Sequence, residues 1–197
     1  MNRHWNRLAI VTAFGLAASG LHAGDGGHDR DGGRDRSFSA RLKPTNEVPA
    51  LSSVASGRFH AVIDESNQTI TYELSYEDLE AAVQQAHIHI GQRSVNGGIS
   101  VFLCGTTGFL PPATVPQPPT GPTSPATVEG VITPANIIGP NGQGIAPTSA
   151  TTNEFAELVK AIRDRITYAN VHTTKFPGGE IRGQLQRGRD NHHGDDD

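Results

Sequence analysis

Residues 58–75 read RFHAVIDESNQTITYELS, and this stretch decides the fold class. Phe59, Ala61 and Ile63 alternate with Arg58, His60 and Asp64, with Val62 the one exception. Ile70, Tyr72 and Leu74 then alternate with Thr69, Thr71, Glu73 and Ser75. Alternation at period two puts one face of a segment on a core and the other in water, which only a β-strand does. Asn67-Gln68 is a turn signal between the two runs.

The pattern extends in both directions. Phe38, Ala40 and Leu42 alternate with polar neighbours, and Ala86, Ile88 and Ile90 alternate with Gln85, His87 and His89. Ile99–Leu103 is a mostly apolar run preceded by the turn signal Asn96-Gly97-Gly98. Val128–Ile132, Tyr168–His172 and Glu180–Gln186 complete the set. Eight short strands in about 150 residues predict an all-β sandwich or small barrel. One helix interrupts them. Phe155, Leu158, Val159 and Ile162 form an apolar stripe at helical spacing, expected to plug one end or an open edge of the sheet structure. Thr151 and Glu154 have capping-box spacing, with Asn153 an alternative cap, and Lys160 and Asp164 pair on the wet side. Gly105–Ala126 carries seven of the 13 prolines. It cannot join a ladder, because each Pro removes a donor, so it predicts a long surface loop. Ile138–Pro147 is a second loop of this kind.

The chain has 197 residues, enough for one domain with tails. Charged residues make up 18% and the net charge is −4, which excludes a basic nucleic-acid binder. The single cysteine, Cys104, excludes an internal disulfide and a cysteine zinc site, and its apolar neighbours Val101-Phe102-Leu103 predict a buried thiol. Met1–Arg7 is basic, Leu8–Gly20 is apolar and Ala23 is a small residue at the cut. Residues 1–23 therefore predict a signal peptide whose apolar run is too short to span a bilayer. The product is expected to be secreted or periplasmic, with no stable membrane span after cleavage. Residues 24–36 (GDGGHDRDGGRDR) and 188–197 (GRDNHHGDDD) have no apolar side chain to bury, which predicts a disordered linker and a disordered charged tail around a domain at 37–187.

Three segments could carry chemistry. Ala86-His87-Ile88-His89-Ile90-Gly91 puts two imidazoles on one strand face. Asn170-Val171-His172-Thr173 adds a third His on a polar face. Glu180, Arg182 and Gln184 share a face opposite Ile181 and Leu185. The apolar faces should be core faces, which would put His87, His89, His172, Glu180 and Arg182 on the outer side of the wall, where a loop could cover them. Two His at i and i+2 plus one from another strand suit copper or zinc. Glu180 would be a fourth ligand or an acceptor that orients a His. The alternative is a polar network in which the His rings, Glu180, Arg182 and Asn170 satisfy one another. His60 alternates with core residues and should be exposed. Asn46-Glu47-Val48-Pro49 reads as a strand end turned by Pro49. No nucleophile elbow, phosphate loop or dinucleotide fingerprint is present.

AHIHIG, NGGISVFLCG, YANVHT and GGEIRGQL, with NEVPA at 46–50 and ASGRFHAVID near the start, occur in an order that resembles the CHRD domain over about residues 37–187. That domain is named for chordin and is found in many secreted bacterial proteins. The resemblance implies an immunoglobulin-like β-sandwich or barrel in an extracellular setting, where the expected partner is an extracellular protein or ligand. The His-x-His strand, later Val-His and late Arg also resemble copper–zinc superoxide dismutases, with their metal-bearing β-barrel. That likeness implies His87, His89 and His172 as copper ligands and Arg182 as an anion guide. This chain lacks that family's bridging-His zinc loop, and its single Cys cannot form that family's disulfide. Two expectations follow: a non-catalytic binding module, or a copper- or zinc-binding protein or metalloenzyme on the same strands.

Overall fold

The computed structural model describes residues 36–147 and 154–188. The expected signal peptide, most of the linker, the Thr151 and Asn153 caps and the tail from 189 lie outside the described residues. Among the described residues there are nine strands, β1 (Ser37–Leu42), β2 (Ser56–Asp64), β3 (Thr69–Glu77), β4 (Val83–Ile90), β5 (Ile99–Gly105), β6 (Ala126–Ile132), β7 (Thr167–Thr173), β8 (Ile181–Gln184) and β9 (Gln186–Arg187), with one α-helix, α1 (Glu154–Arg163). They form two antiparallel sheets, ordered β6-β3-β2-β1-β9 and β5-β4-β7-β8.

Local chemistry sets the β2–β3 hairpin. The Asp64 carboxylate accepts from the backbone amides of Ser66 (3.0 Å) and Asn67 (3.2 Å), which turns the chain back on itself. Gln68 takes the left-handed conformation (φ 50°) before β3 begins. The register then aligns the alternating residues, with Ala40 opposite Phe59, Phe59 opposite Leu74 and Leu74 opposite Val128. All four are buried in the single core shared by the two sheets. Each such large side chain contributes about 1.5–3 kcal/mol on burial. Tyr72 reaches across the sandwich and donates its hydroxyl to Leu103 O at 2.6 Å.

The strand expected at 180–186 is divided. β8 pairs with β7, whereas β9, after Leu185, pairs with β1 in the other sheet. The crossing brings β8 against β1, and a Cβ at Gly183 would stand 2.5 Å from Arg41 O. Lys43 and Arg182 exchange backbone hydrogen bonds (3.0 and 3.2 Å) and tie the sheets at one corner. Elsewhere among the described residues the sheet edges are not joined by ladders, so of the two expected architectures the molecule is an open sandwich and not a closed barrel.

The α1 stripe of Phe155, Leu158, Val159 and Ile162 packs into the common core, and Lys160 pairs with Asp164 on the exposed side. Residues 106–125 form the expected loop between β5 and β6, anchored where Tyr76 donates its hydroxyl to Pro122 O at 2.7 Å. No helix among the described residues is long and apolar enough to cross a membrane.

Candidate metal centre

Strand parity builds the site. On β4, Ala86, Ile88 and Ile90 enter the core, so His87 and His89 project from the opposite face of the sheet. On β7, Ala169 and Val171 enter the core, which leaves Tyr168, Asn170 and His172 on that same opposite face. The register sets His87 opposite Asn170, His89 opposite Tyr168 and Gln85 opposite His172. The three imidazoles therefore meet. One nitrogen from each can be chosen so that all lie within 4.8 Å of one another.

This face is the outer one, as parity predicts, but it is not open. His87 is 0% exposed and His89 and His172 are each 7% exposed. The segments between β4 and β5 and between β7 and β8 close over it. His89 Nδ1 meets Gly97 O at 2.9 Å and His172 Nδ1 meets Pro177 O at 3.0 Å. A carbonyl only accepts, so both contacts place the proton on Nδ1 and leave a lone pair on Nε2. His172 Nε2 faces His87 Nδ1 at 3.2 Å and the Asn170 Oδ1 acceptor at 3.1 Å. His87 Nε2 and His89 Nε2 are buried with no hydrogen-bond partner. Phe102 stands edge-on to His87, 4.4 Å between centroids, and Tyr168 stacks on His89 at 4.8 Å.

Burial holds the rings neutral. It pushes His87 down to about 2, assisted by His172 and His89. His89 falls to about 4 through burial, against the opposing effect of the Gly97 carbonyl. His172 is lowered by burial as well. Three neutral imidazoles with one nitrogen each within 4.8 Å of the others are a donor set for a cation.

Glu180 does not join them. Its carboxylate accepts from Ser53 Oγ (3.0 Å), the Glu80 amide (2.9 Å) and Thr173 Oγ1 (2.7 Å), and Thr173 lies on the opposite parity from His172. Gly179, at φ 122°, turns the chain just before Glu180, so the parity of β8 does not extend back to it. The role expected of Arg182 is also corrected. Its side chain is only 2% exposed, and it donates to Asn96 Oδ1 (3.0 Å), Gln92 O (3.2 Å) and Val95 O (2.8 Å) while lying over the Tyr168 ring. It fastens the 91–98 loop and is not placed to guide an anion from solvent. His60 is exposed and bonds Ser37, as its strand position requires.

The carboxyl beside the cluster is Glu47. It follows a short turn at Pro44–Asn46, is 6% exposed, and its Oε1 is buried without a hydrogen-bond partner. A Cβ at Gly179 would stand 2.4 Å from Glu47 Oε1 and 2.9 Å from Asn170 Nδ2, so the carboxyl and the amide share one small space. Burial raises the Glu47 carboxyl to about 7, with Arg182 and then Asn170 among the opposing influences. The NEVPA segment is the only signal in the sequence for it, and nothing in that segment's spacing specifies a contact 123 residues away at Asn170.

No curated protein and no solved structure gives a significant match. The family model of the CHRD domain matches residues 38–185, which include both sheets except Ser37 of β1 and the short strand β9, together with every residue of the histidine cluster. The chain belongs to the CHRD-domain family.

Proposed function

We propose that this CHRD-domain protein is an exported, non-catalytic binding protein that holds one copper or zinc ion on His87, His89 and His172. The observation that carries the reading is the pair of buried, partnerless Nε2 atoms of His87 and His89 beside the His172 lone pair. An unsatisfied buried polar atom costs about 1–3 kcal/mol. A cation among these nitrogens would satisfy both orphans and relieve the opposition of His172 Nε2 and Asn170 Oδ1. The Gly97 and Pro177 carbonyls would act as the acceptors that orient metal-bound imidazoles. Export is supported by the layout of Met1–Ala23.

Equilibrium dialysis of the untagged full chain against zinc, or against copper under reducing conditions, tests the proposal. One ion per chain is expected, with loss of that ion in His89→Ala while the variant still melts cooperatively. Equal metal content in the wild type and the variant would defeat it.

A further inference from the structure

The charge balance of the cluster bears on which ion it takes, an inference that rests on the metal-binding reading above. The donor set is three imidazoles, and no carboxylate or thiolate among the described residues belongs to it. Cys104 is in the core cluster, on the other side of the sheet. Glu180 is fully engaged by Ser53, Thr173 and Glu80. Two charged groups among the described residues near the site are Glu47 and Arg182. These two interact with each other, and the Arg182 charge is also felt at His89. Neither is a ligand, and Arg182 is itself a cation, so an ion at the cluster would keep its own charge in a place where the ligands are at most 7% exposed.

The cost of burying a bare charge grows with its square, so a dication is about four times as costly to place here as a monocation. Coordination number points the same way. Zinc on three protein ligands takes a water or hydroxide as its fourth, and tetragonal N/O donor sets suit cupric copper, so either dication needs ligands beyond the three imidazoles. A closed-shell d10 monocation is satisfied by three imidazoles. The aromatic walls of Phe102 and Tyr168 occupy the space beside two of the rings. We infer that the cluster is a cuprous site, selective for Cu(I) over Zn(II) and Cu(II) because its buried donor set carries no negative charge.

Anaerobic competition of the full chain with bicinchoninate for Cu(I), run beside matched chelator competitions for Zn(II) and Cu(II), decides it. Single-site Cu(I) binding about 100-fold or more tighter than either dication is expected, the excess set by burying one charge instead of two. His172→Gln should remove that site and leave only the weak binding of histidines elsewhere in the chain. Zn(II) or Cu(II) binding as tight as Cu(I), lost in the same variant, overturns the cuprous inference and leaves the metal site standing. Failure of all three ions to bind at the cluster overturns both.

Discussion

Arg182 lies with its guanidinium carbon 3.4 Å from the centroid of the Tyr168 ring, and Tyr168 stacks in turn on His89 with planes 3° apart. A buried cation, a phenol ring and an imidazole thus form a continuous stack that links the closing loop to the histidine cluster. Arg182 fixes that loop through Asn96, Gln92 and Val95, and Gly97 of the same loop accepts from His89.

Replacing Arg182 by Met should remove these three donors together with the cation–π contact. Acceptors left unpaired in the loop cost about 1–3 kcal/mol each, so a loss of about 3 kcal/mol is expected in urea unfolding. Amide exchange at Asn96 and Gly97 should accelerate. A change below about 1 kcal/mol would show that the loop is held by something else.

The protein should lose stability in mild acid. His87 and His89 are held at about 2 and about 4, against an ordinary value of 6.5, and His172 is lowered too. Below pH 6.5 the unfolded chain takes up these protons and the folded chain does not, so stability present above that pH is lost as pH falls. Glu47 acts in the opposite sense. Its carboxyl keeps a proton up to about 7 when folded and releases it near 4.5 when unfolded, so its contribution is present below 4.5 and is lost as pH rises towards 7. The histidines outnumber the carboxyl, and every tenfold difference in proton affinity between the folded and unfolded chain is worth about 1.4 kcal/mol. Urea midpoints measured from pH 7.5 to 4.5 should therefore fall. The fall should be steeper in Glu47→Gln and shallower in His87→Gln. A profile indifferent to both changes would contradict the assignment of these groups.

Much of this is legible in the sequence. Period two locates the strands and puts Phe59, Ala61, Ile70 and Leu74 in the core, where all four are buried. The same parity sets His87, His89 and His172 on one face. It fails at Glu180, because parity holds only within a continuous ladder and Gly179 breaks the chain direction one residue earlier. Nor can it show that the face is closed, since the cover comes from loop carbonyls at Gly97 and Pro177 that have no sequence periodicity. Glu47 is hidden for a related reason: it lies in an irregular turn and meets Asn170 only through the tertiary fold. The division of the last strand at Leu185 leaves no signal, because Leu185 alternates correctly with both halves.

Gly97→Ala should disrupt the cover over His89. A Cβ there would stand 1.5 Å from Ile90 O, a clash only backbone movement can relieve. Overpacking of this kind costs about 1–3 kcal/mol or more, and metal affinity should fall with it. Thermal unfolding and dialysis of the variant provide the two readings, and a wild-type melting temperature would refute the geometry.

Cys104 should be inert in the native protein. It is fully buried, and burial pushes its thiol up to about 12. Reaction with a disulfide reagent should be negligible in buffer and stoichiometric in denaturant, since the thiolate is the reactive form. Rapid labelling of the native chain would show that the core near β5 is open.

Whether three imidazoles on the outer face of one sheet hold a single ion is tested most directly by anomalous diffraction from a crystal of the metal-loaded protein. One strong peak is expected about 2 Å from a nitrogen of each of His87, His89 and His172. An anomalous map with no density between these rings, at full metal occupancy elsewhere on the chain, would contradict the proposed site.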